Sequence, residues 1–403
     1  MTIRHIAIIG AGLAGVTNAG TLRKAGFTGR ISLINGEAHE PYDRPPLSKN
    51  ILTQNDAIAP TLQEDSWYED NKIDRQDDQW VSQITSDGRV ILKDDSALKP
   101  DRIVLATGSR SRRLAQLDNA KIPAFYIREA GDAYALRKRL KPGQHIGIIG
   151  AGFIGLEVAA SARSLGLDVT VFEAAPRILT RVLTPATSAF ISARHRAEGV
   201  TLIEATTVIN TSPLGTYGAR LTINDDTQID VDILVVGIGS LANDALAVST
   251  GLKTRNGIEV DDLARTSVPE IYAIGDCAYY PCPWRGKKLR SEQWQHAREH
   301  AQFAAYTLLG QETRYSAIPW FWSDQYDMSI QQIGHSQTEK HVECRVEDGH
   351  IMFHFDDETL AGATFINQPR LKRKVTKLLE LGAAISPVDL ANPKLNLMPT
   401  LAL

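Results

Sequence analysis

The strongest pattern along the chain is a short apolar run that ends in closely spaced glycines, and it occurs twice. Residues 5–9 (HIAII) have the length and texture of a buried strand. Gly10-Ala11-Gly12-Leu13-Ala14-Gly15 follows, and then an amphipathic stretch to about Lys24. Residues 30–34 (RISLI) read as a second strand, so the segment predicts a β-α-β unit of about 30 residues. The same order returns with a strand at 145–149 (HIGII), the turn Gly150-Ala151-Gly152-Phe153-Ile154-Gly155, a helix to about Leu165 and a strand at 169–172. The first glycines of the two turns are 140 residues apart, which points to duplication of a whole domain-sized unit rather than a solenoid repeat.

Three further strands run into glycine. Residues 102–105 (RIVL) lead to Ala106-Thr107-Gly108, residues 232–236 (DILVV) to Gly237-Ile238-Gly239, and residues 271–274 (IYAI) to Gly275-Asp276. The first two follow their own fingerprints at similar distances and are expected to close the two units. After about Ile318 the texture changes to an aromatic cluster (PWFW, 319–322), alternating short strands and a terminal helix, which predicts a third, α+β domain.

Composition narrows the function classes. The chain has 403 residues, enough for two or three domains, with a formal net charge of −3 that gives no global basic field for nucleic acid. No apolar run approaches the ~20 residues of a spanning helix, and the N-terminal stretch lacks the pattern of a signal peptide. Neither nucleic acid nor membrane is therefore an expected partner. Three cysteines rule out a disulfide scaffold and suggest a reducing cytoplasm. Cys277 and Cys282 are spaced C-x4-C, neither a redox nor a zinc pattern, and the ten histidines show no metal-ligand spacing, so no metal site is expected.

A strand that ends in G-x-G-x-x-G and opens a helix has a physical task. The first glycine makes the tight turn, the second lets a pyrophosphate approach the backbone, and the third lets helix and strand pack closely. The helix N-terminus then offers unpaired N–H groups to the phosphates. Each such site wants a carboxylate near the end of the second strand for the adenosine ribose. In the second unit that is Glu173, which would repel a 2′-phosphate and favour NADH, with Arg177 four residues on. In the first unit the strand end carries Asn35, and Glu37 is taken for the ribose.

Two dinucleotide sites in one chain suggest FAD plus NAD(P)H. The stretch Pro41-Tyr42-Asp43-Arg44-Pro45-Pro46-Leu47-Ser48-Lys49 then selects the branch. Together with G-F-I-G-L-E at 152–157, G-I-G at 237–239, G-D at 275–276 and P-W-F-W-S-D-Q at 319–325, it resembles the bacterial FAD-dependent ferredoxin reductases of aromatic-ring dioxygenase and some cytochrome P450 systems. The segment 235–247 (VVGIGSLANDALA) looks most similar to the biphenyl-type reductases.

The resemblance implies an α/β, glutathione-reductase-like flavoprotein. Its FAD domain would comprise 1–112 and 246–317, its NADH domain 113–245, and its C-terminal α+β domain 318–403. It implies hydride transfer from NADH to FAD, then single-electron delivery to a [2Fe–2S], Rieske-type ferredoxin that feeds a terminal oxygenase, by a monomer or homodimer. Alternatives left open are service to a P450 or alkane hydroxylase through a ferredoxin or rubredoxin, and an NADH-sensing signalling flavoprotein. An oxidase or disulfide reductase of this fold would need a redox cysteine near 45–50, where there is none.

Site residues are implied by position. Lys49 matches the lysine beside the flavin N5 edge, and Glu157 matches its carboxylate partner. Gly10, Gly12, Ala14, Gly15, Glu37, Arg44, Val81, Thr107, Gly108, Arg128, Asp276, Trp294 and Trp322 are expected at FAD, with Trp320 beside Trp322. Asp276 would hold the ribitol, in a place that a helix N-cap would also suit. Gly150, Gly152, Ile154, Gly155, Glu173, Gly237, Ile238, Gly239 and Glu292 are expected at NADH. Two basic stretches, Arg285-Gly286-Lys287-Lys288-Leu289-Arg290 and Arg370-Leu371-Lys372-Arg373-Lys374 with Lys377, are expected to steer an acidic ferredoxin.

Overall fold

The computed structural model describes residues 3–311, 314–338, 340–346, 349–382 and 385–390. These fall into two compact units. The first is drawn from Met1–Asp43, Ala59–Arg110 and Ser240–Pro319, and the second from Arg44–Ile58, Ser111–Gly239 and Trp320–Leu403.

The first unit is built on a five-stranded parallel sheet in the order Ile271–Ala273, Arg102–Leu105, His5–Ile9, Arg30–Ile34, Ile73–Gln76. A parallel sheet covered on both faces needs apolar side chains at consecutive positions. The run at 5–9 meets that need: Ile6 and Ile8 enter one core cluster, Ala7 and Ile9 the other. The helix Leu13–Lys24 packs against Trp294–Leu308, where the buried Asn18 amide donates to the Ala301 carbonyl at 2.8 Å.

The second unit repeats the design with four parallel strands in the order Val200–Ile203, Asp168–Phe172, His145–Ile149, Ile233–Val236. The strand expected from Asp232 begins one residue later. Asp232 instead turns its carboxylate to the His145 N–H at 2.8 Å. Arg137 holds the segment 44–58 by reaching the carbonyls of Ile51, Gln54 and Ala57 at 3.2, 3.0 and 2.6 Å. The chain from 320 onward forms a five-stranded antiparallel sheet in the order Trp320–Gln325, Met328–Gly334, Thr359–Ile366, Gly349–Asp356, Lys340–Val346, followed by the helix Leu371–Leu381. Period-2 alternation on the first of these strands buries Ser323 and Gln325 and leaves Asp324 exposed.

Candidate functional site

In the first unit, Gly10 sits at φ 108°, and a Cβ there would run into the Ala106 carbonyl. A Cβ on Gly15 would strike the Gly10 carbonyl, whereas one on Gly12 would meet nothing within 4 Å. The outer two glycines are therefore demanded by the fold, while the space beside the middle one is open. The helix Leu13–Lys24 starts behind Gly12 with no side-chain cap and no acidic residue in its first turn. That leaves its N–H groups and positive dipole end available to an anion. Ala14 is buried, within reach of a Cβ built on Gly275.

The next strand end explains the departure at Asn35. Its buried amide donates to the His39 carbonyl at 2.8 Å and to Asp77 at 2.9 Å, while its oxygen accepts the Glu37 N–H at 3.2 Å. Asn35 thus shapes the turn that presents Glu37, and the Tyr42 hydroxyl donates to that carboxylate at 2.5 Å. Val81 is buried at the start of the strand Val81–Ile84. The Thr107 hydroxyl donates to the Asn243 carbonyl at 2.6 Å, and Asn243 returns its N–H to Gly108 at 3.0 Å.

Asp276 accepts from Ser109 at 3.0 Å. It lies inside the 3-10 turn Gly275–Cys277, with strands after it, so it is not a helix N-cap; the next α-helix begins only at Trp294. The Trp294 indole N–H donates to Asp43 at 2.8 Å. Glu292 is joined to Arg290 at 2.5 Å and accepts from Ser240.

The second unit carries the same cradle. Gly150 has φ 104°, a Cβ there would meet the Gly237 carbonyl at 2.5 Å, and one on Gly155 would strike Gly150. A Cβ on Gly152 would have only the Gly237 oxygen within 4 Å, at 3.9 Å. The helix Phe153–Ser164 likewise starts uncapped and without an acidic first turn. Ile154 is 45% exposed at this start. The Glu173 carboxylate is pinned at both oxygens, by Ala151 N–H at 2.7 Å and Ala175 N–H at 2.8 Å. Arg177 donates to Ser188 at 2.6 Å and to the Thr180 carbonyl at 3.3 Å. Gly237 donates to the Ile149 carbonyl, Ile238 packs on the core, and Gly239 turns at φ 103°.

The second unit also brings Lys49 and Glu157 together. Glu157 is only 4% exposed, and its Oε1 lies 3.3 Å from Lys49 Nζ. Ser48 donates to one carboxylate oxygen, Ser323 to the other at 2.6 Å, and Asp324 stands 3.7 Å from the same ammonium. Burial pushes the Glu157 carboxyl above its ordinary range, opposed by Lys49 and the two hydroxyls. The Ser161 hydroxyl fixes the Ser48 carbonyl at 2.8 Å. Arg44 donates to the Arg128 carbonyl at 2.6 Å, so the two expected arginines are neighbours. Trp320 and Trp322 stack at 5.1 Å, with Lys372 Nζ 3.1 Å from the Trp320 ring centre.

Comparison with known proteins places this architecture. The family model described as pyridine nucleotide-disulphide oxidoreductase matches residues 4–301, and a reductase C-terminal model matches 320–401. The chain belongs to the pyridine nucleotide-disulphide oxidoreductase family. It is 38% identical to rhodocoxin reductase of Rhodococcus erythropolis over 403 residues, covering 98% of this chain and 94% of that one. It is 37% identical over 375 residues to the 3-phenylpropionate/cinnamic acid dioxygenase ferredoxin–NAD(+) reductase component of Photorhabdus laumondii, covering 92% and 95%. The crystal structure of the ferredoxin reductase for the CYP199A2 system of Rhodopseudomonas palustris superimposes with a TM-score of 0.94 at 34% identity, covering 98% and 99%.

Family membership and these relatives establish an FAD- and NAD(H)-dependent oxidoreductase of the ferredoxin–NAD(+) reductase type, with a ferredoxin as its partner. Two open glycine cradles fit two dinucleotides. The family name mentions a disulphide, but in this chain Cys277, Cys282 and Cys344 are free and buried. Cys277 donates to the Leu105 and Ile274 carbonyls at 3.3 and 3.2 Å, and burial pushes its thiol up. Among the described residues, no group of three or more His, Cys, Asp or Glu is arranged to hold a metal ion, and no helix is long and apolar enough to cross a membrane.

Sequence reasoning missed Ser323, Gln325 and His195, which reach Glu157 through side-chain hydrogen bonds. The S-D-Q of the aromatic motif was the available signal. It marked the segment without indicating what the two polar side chains touch.

Proposed function

We propose that this chain is the reductase of an aromatic-ring-hydroxylating dioxygenase system, taking hydride from NADH and supplying single electrons to a Rieske-type [2Fe–2S] ferredoxin. The observation that carries the reading is the ion pair between half-buried Lys49 and buried Glu157, the latter on the second turn of the second fingerprint helix. A carboxylate buried as deeply as that of Glu157 is costly to desolvate, and here a cation and two hydroxyls compensate it. Bound FAD supplies the conversion of a two-electron hydride donor into two one-electron deliveries.

In this reading Gly10, Gly12, Ala14 and Gly15 receive the FAD pyrophosphate, and Glu37 its ribose. Arg44, Val81, Thr107, Gly108, Arg128, Asp276, Trp294 and Trp322 hold the remainder. Gly150, Gly152, Ile154, Gly155, Gly237, Ile238 and Gly239 receive NADH, and Glu292 orients its amide. Glu173 takes the ribose hydroxyls, and the engagement of Arg177 with Ser188 supports NADH over NADPH. Lys49 presents positive charge to the reduced flavin edge, and Glu157 fixes and moderates it.

The domains would be 1–112 with 246–317 for FAD, 113–245 for NADH, and 318–403. The compact-unit breaks at 110/111, 239/240 and 319/320 lie close to these limits and support them, although the second unit unites 111–239 with the chain from 320 onward. The buried free cysteines support a reducing cytoplasm. A second reading, in which the terminal oxygenase is a cytochrome P450, is favoured by the likeness to the reductase of the CYP199A2 system.

Anaerobic titration of the yellow holoprotein with NADH, followed by oxidised ferredoxins, tests the proposal. Bleaching near ~450 nm and rapid reoxidation by a Rieske-type ferredoxin are expected. Reoxidation only by a P450-type ferredoxin selects the second reading, and bleaching with no transfer to any ferredoxin overturns both.

A further inference from the structure

A line of side chains leads away from Glu157 into the second unit. Ser323 lies 2.6 Å from Glu157 Oε1, Gln325 Nε2 lies 3.0 Å from Ser323 Oγ, and His195 Nε2 lies 2.8 Å from Gln325 Oε1. The Tyr326 hydroxyl lies 3.1 Å from His195 Nδ1. Ser323, Gln325 and His195 are all buried.

The donor directions are fixed by chemistry. Gln325 Oε1 can only accept, so His195 Nε2 must carry the hydrogen. The neutral ring then accepts at Nδ1, and Tyr326 donates. Gln325 Nε2 can only donate, which leaves the Ser323 proton for the carboxylate. Every donor therefore points toward Glu157, and aligned hydrogen bonds polarise one another. Burial depresses the His195 pKa, which keeps the ring in the neutral form that the direction requires.

We propose that Ser323, Gln325 and His195 are positioning residues for Glu157, a one-directional hydrogen-bond chain that holds its carboxylate as the anionic partner of Lys49. The charged groups facing Glu157 are Lys49 from the 45–49 turn and, across that ammonium, Asp324 from the strand Trp320–Gln325. Neither reaches Gln325 or His195 in the chain of bonds, so a change at Gln325 is transmitted through Ser323.

The inference rests on the proposed role of the Lys49–Glu157 pair, but its test does not use turnover. The Glu157 carboxyl is titrated by carbon-13 NMR in the oxidised holoenzyme without NADH, its signal assigned by its absence in Glu157→Gln. Ser323→Ala is expected to raise the midpoint by about one pH unit, a tenfold gain in proton affinity. Gln325→Met, which leaves Ser323 in place, is expected to raise it by about half as much and to add nothing on the Ser323→Ala background. Ser323→Thr should restore the original midpoint. If Gln325→Met fails to fold, Gln325→Leu replaces it, since it likewise gives Ser323 no donor and adds no charge near Glu157. An unchanged midpoint in the Gln325 variants, or a full additive shift in the double variant, overturns the proposal. Normal NADH reduction in Glu157→Gln would instead overturn the role assigned to Glu157 and leave the titration result standing.

Discussion

Arg290 and Glu292 stand 2.5 Å apart, and the Arg290 side chain is only 6% exposed. Its guanidinium also reaches the carbonyls of Ser240 at 3.2 Å and Asp276 at 3.3 Å. The basic stretch 285–290 therefore presents less charge than its sequence suggests. Arg290 is structural, while Lys287 and Lys288 are exposed. Reversing Lys287 and Lys288 to Glu should lower kcat/KM for ferredoxin about tenfold at low salt and flatten its ionic-strength dependence. NADH-to-ferricyanide turnover should be unchanged. Arg290→Ala should impair both assays, which separates a docking charge from a structural one.

The two kinds of fingerprint glycine should respond differently to a single methyl. Gly12→Ala places its Cβ in open space, so the apoprotein should melt at the wild-type temperature while its Kd for FAD rises at least about tenfold. Gly15→Ala drives its Cβ into the Gly10 carbonyl and should destabilise the apoprotein by about 2 kcal/mol or more. Thermal unfolding and flavin titration of the two apoproteins read the difference directly. Equal melting temperatures would contradict the close packing of strand and helix at Gly15.

Glu173 is oriented by two backbone N–H groups before any nucleotide arrives. Glu173→Ala should raise KM for NADH about tenfold to a hundredfold, the range set by losing charge-assisted hydrogen bonds of about 1.5–3 kcal/mol. The ratio of NADPH to NADH kcat/KM should rise, because the repelling charge is gone. A steady-state comparison of the two cofactors measures it.

Acid stability should depend on buried imidazoles. Burial holds His296 and His354 at about 3, against an ordinary 6.5. A depressed histidine pKa means the folded state refuses a proton that the unfolded chain accepts. The stability present above pH 6.5 is thus lost as pH falls toward 3, by on the order of 4 kcal/mol per group. His354→Asn, opposite Thr364 at 2.8 Å, should flatten the fall in melting temperature across that window. An unchanged slope would assign the acid sensitivity to other groups.

Thiol chemistry should be dispensable. Iodoacetamide applied to the native holoenzyme should leave NADH-to-ferredoxin turnover intact, since all three thiols are buried and burial disfavours the Cys277 thiolate. Labelling of Cys277 with parallel loss of activity would contradict this.

Much of the architecture was legible because its signals are local. Both glycine turns, the strands that feed them and Glu173 follow from spacing within about 30 residues. The resemblance supplied the Lys49–Glu157 pairing across 108 positions, which no periodicity encodes. What stayed hidden depends on long-range side-chain geometry. Gln325 meets His195 across 130 residues, and a lone buried histidine in a helix looks the same whether it is paired or not. Asn35 looked like a missing acid because a motif states residue type. Its task of shaping the Glu37 turn emerges only from three hydrogen bonds. Arg290 looked like surface charge because its pairing with Glu292 and two carbonyls is invisible in a run of basic letters.

The grip of Arg137 on the carbonyls of Ile51, Gln54 and Ala57 bears on how this protein can be recombined. A chimera that exchanged only 113–245 with a relative keeps the clamp on segment 44–58 only where that relative also places an arginine at position 137. Crossovers that carry 44–58 along with the insert keep both sides of that contact. The natural unit of exchange is discontinuous in sequence, and a shuffling library cut at the two obvious junctions alone would discard parents that are compatible in three dimensions.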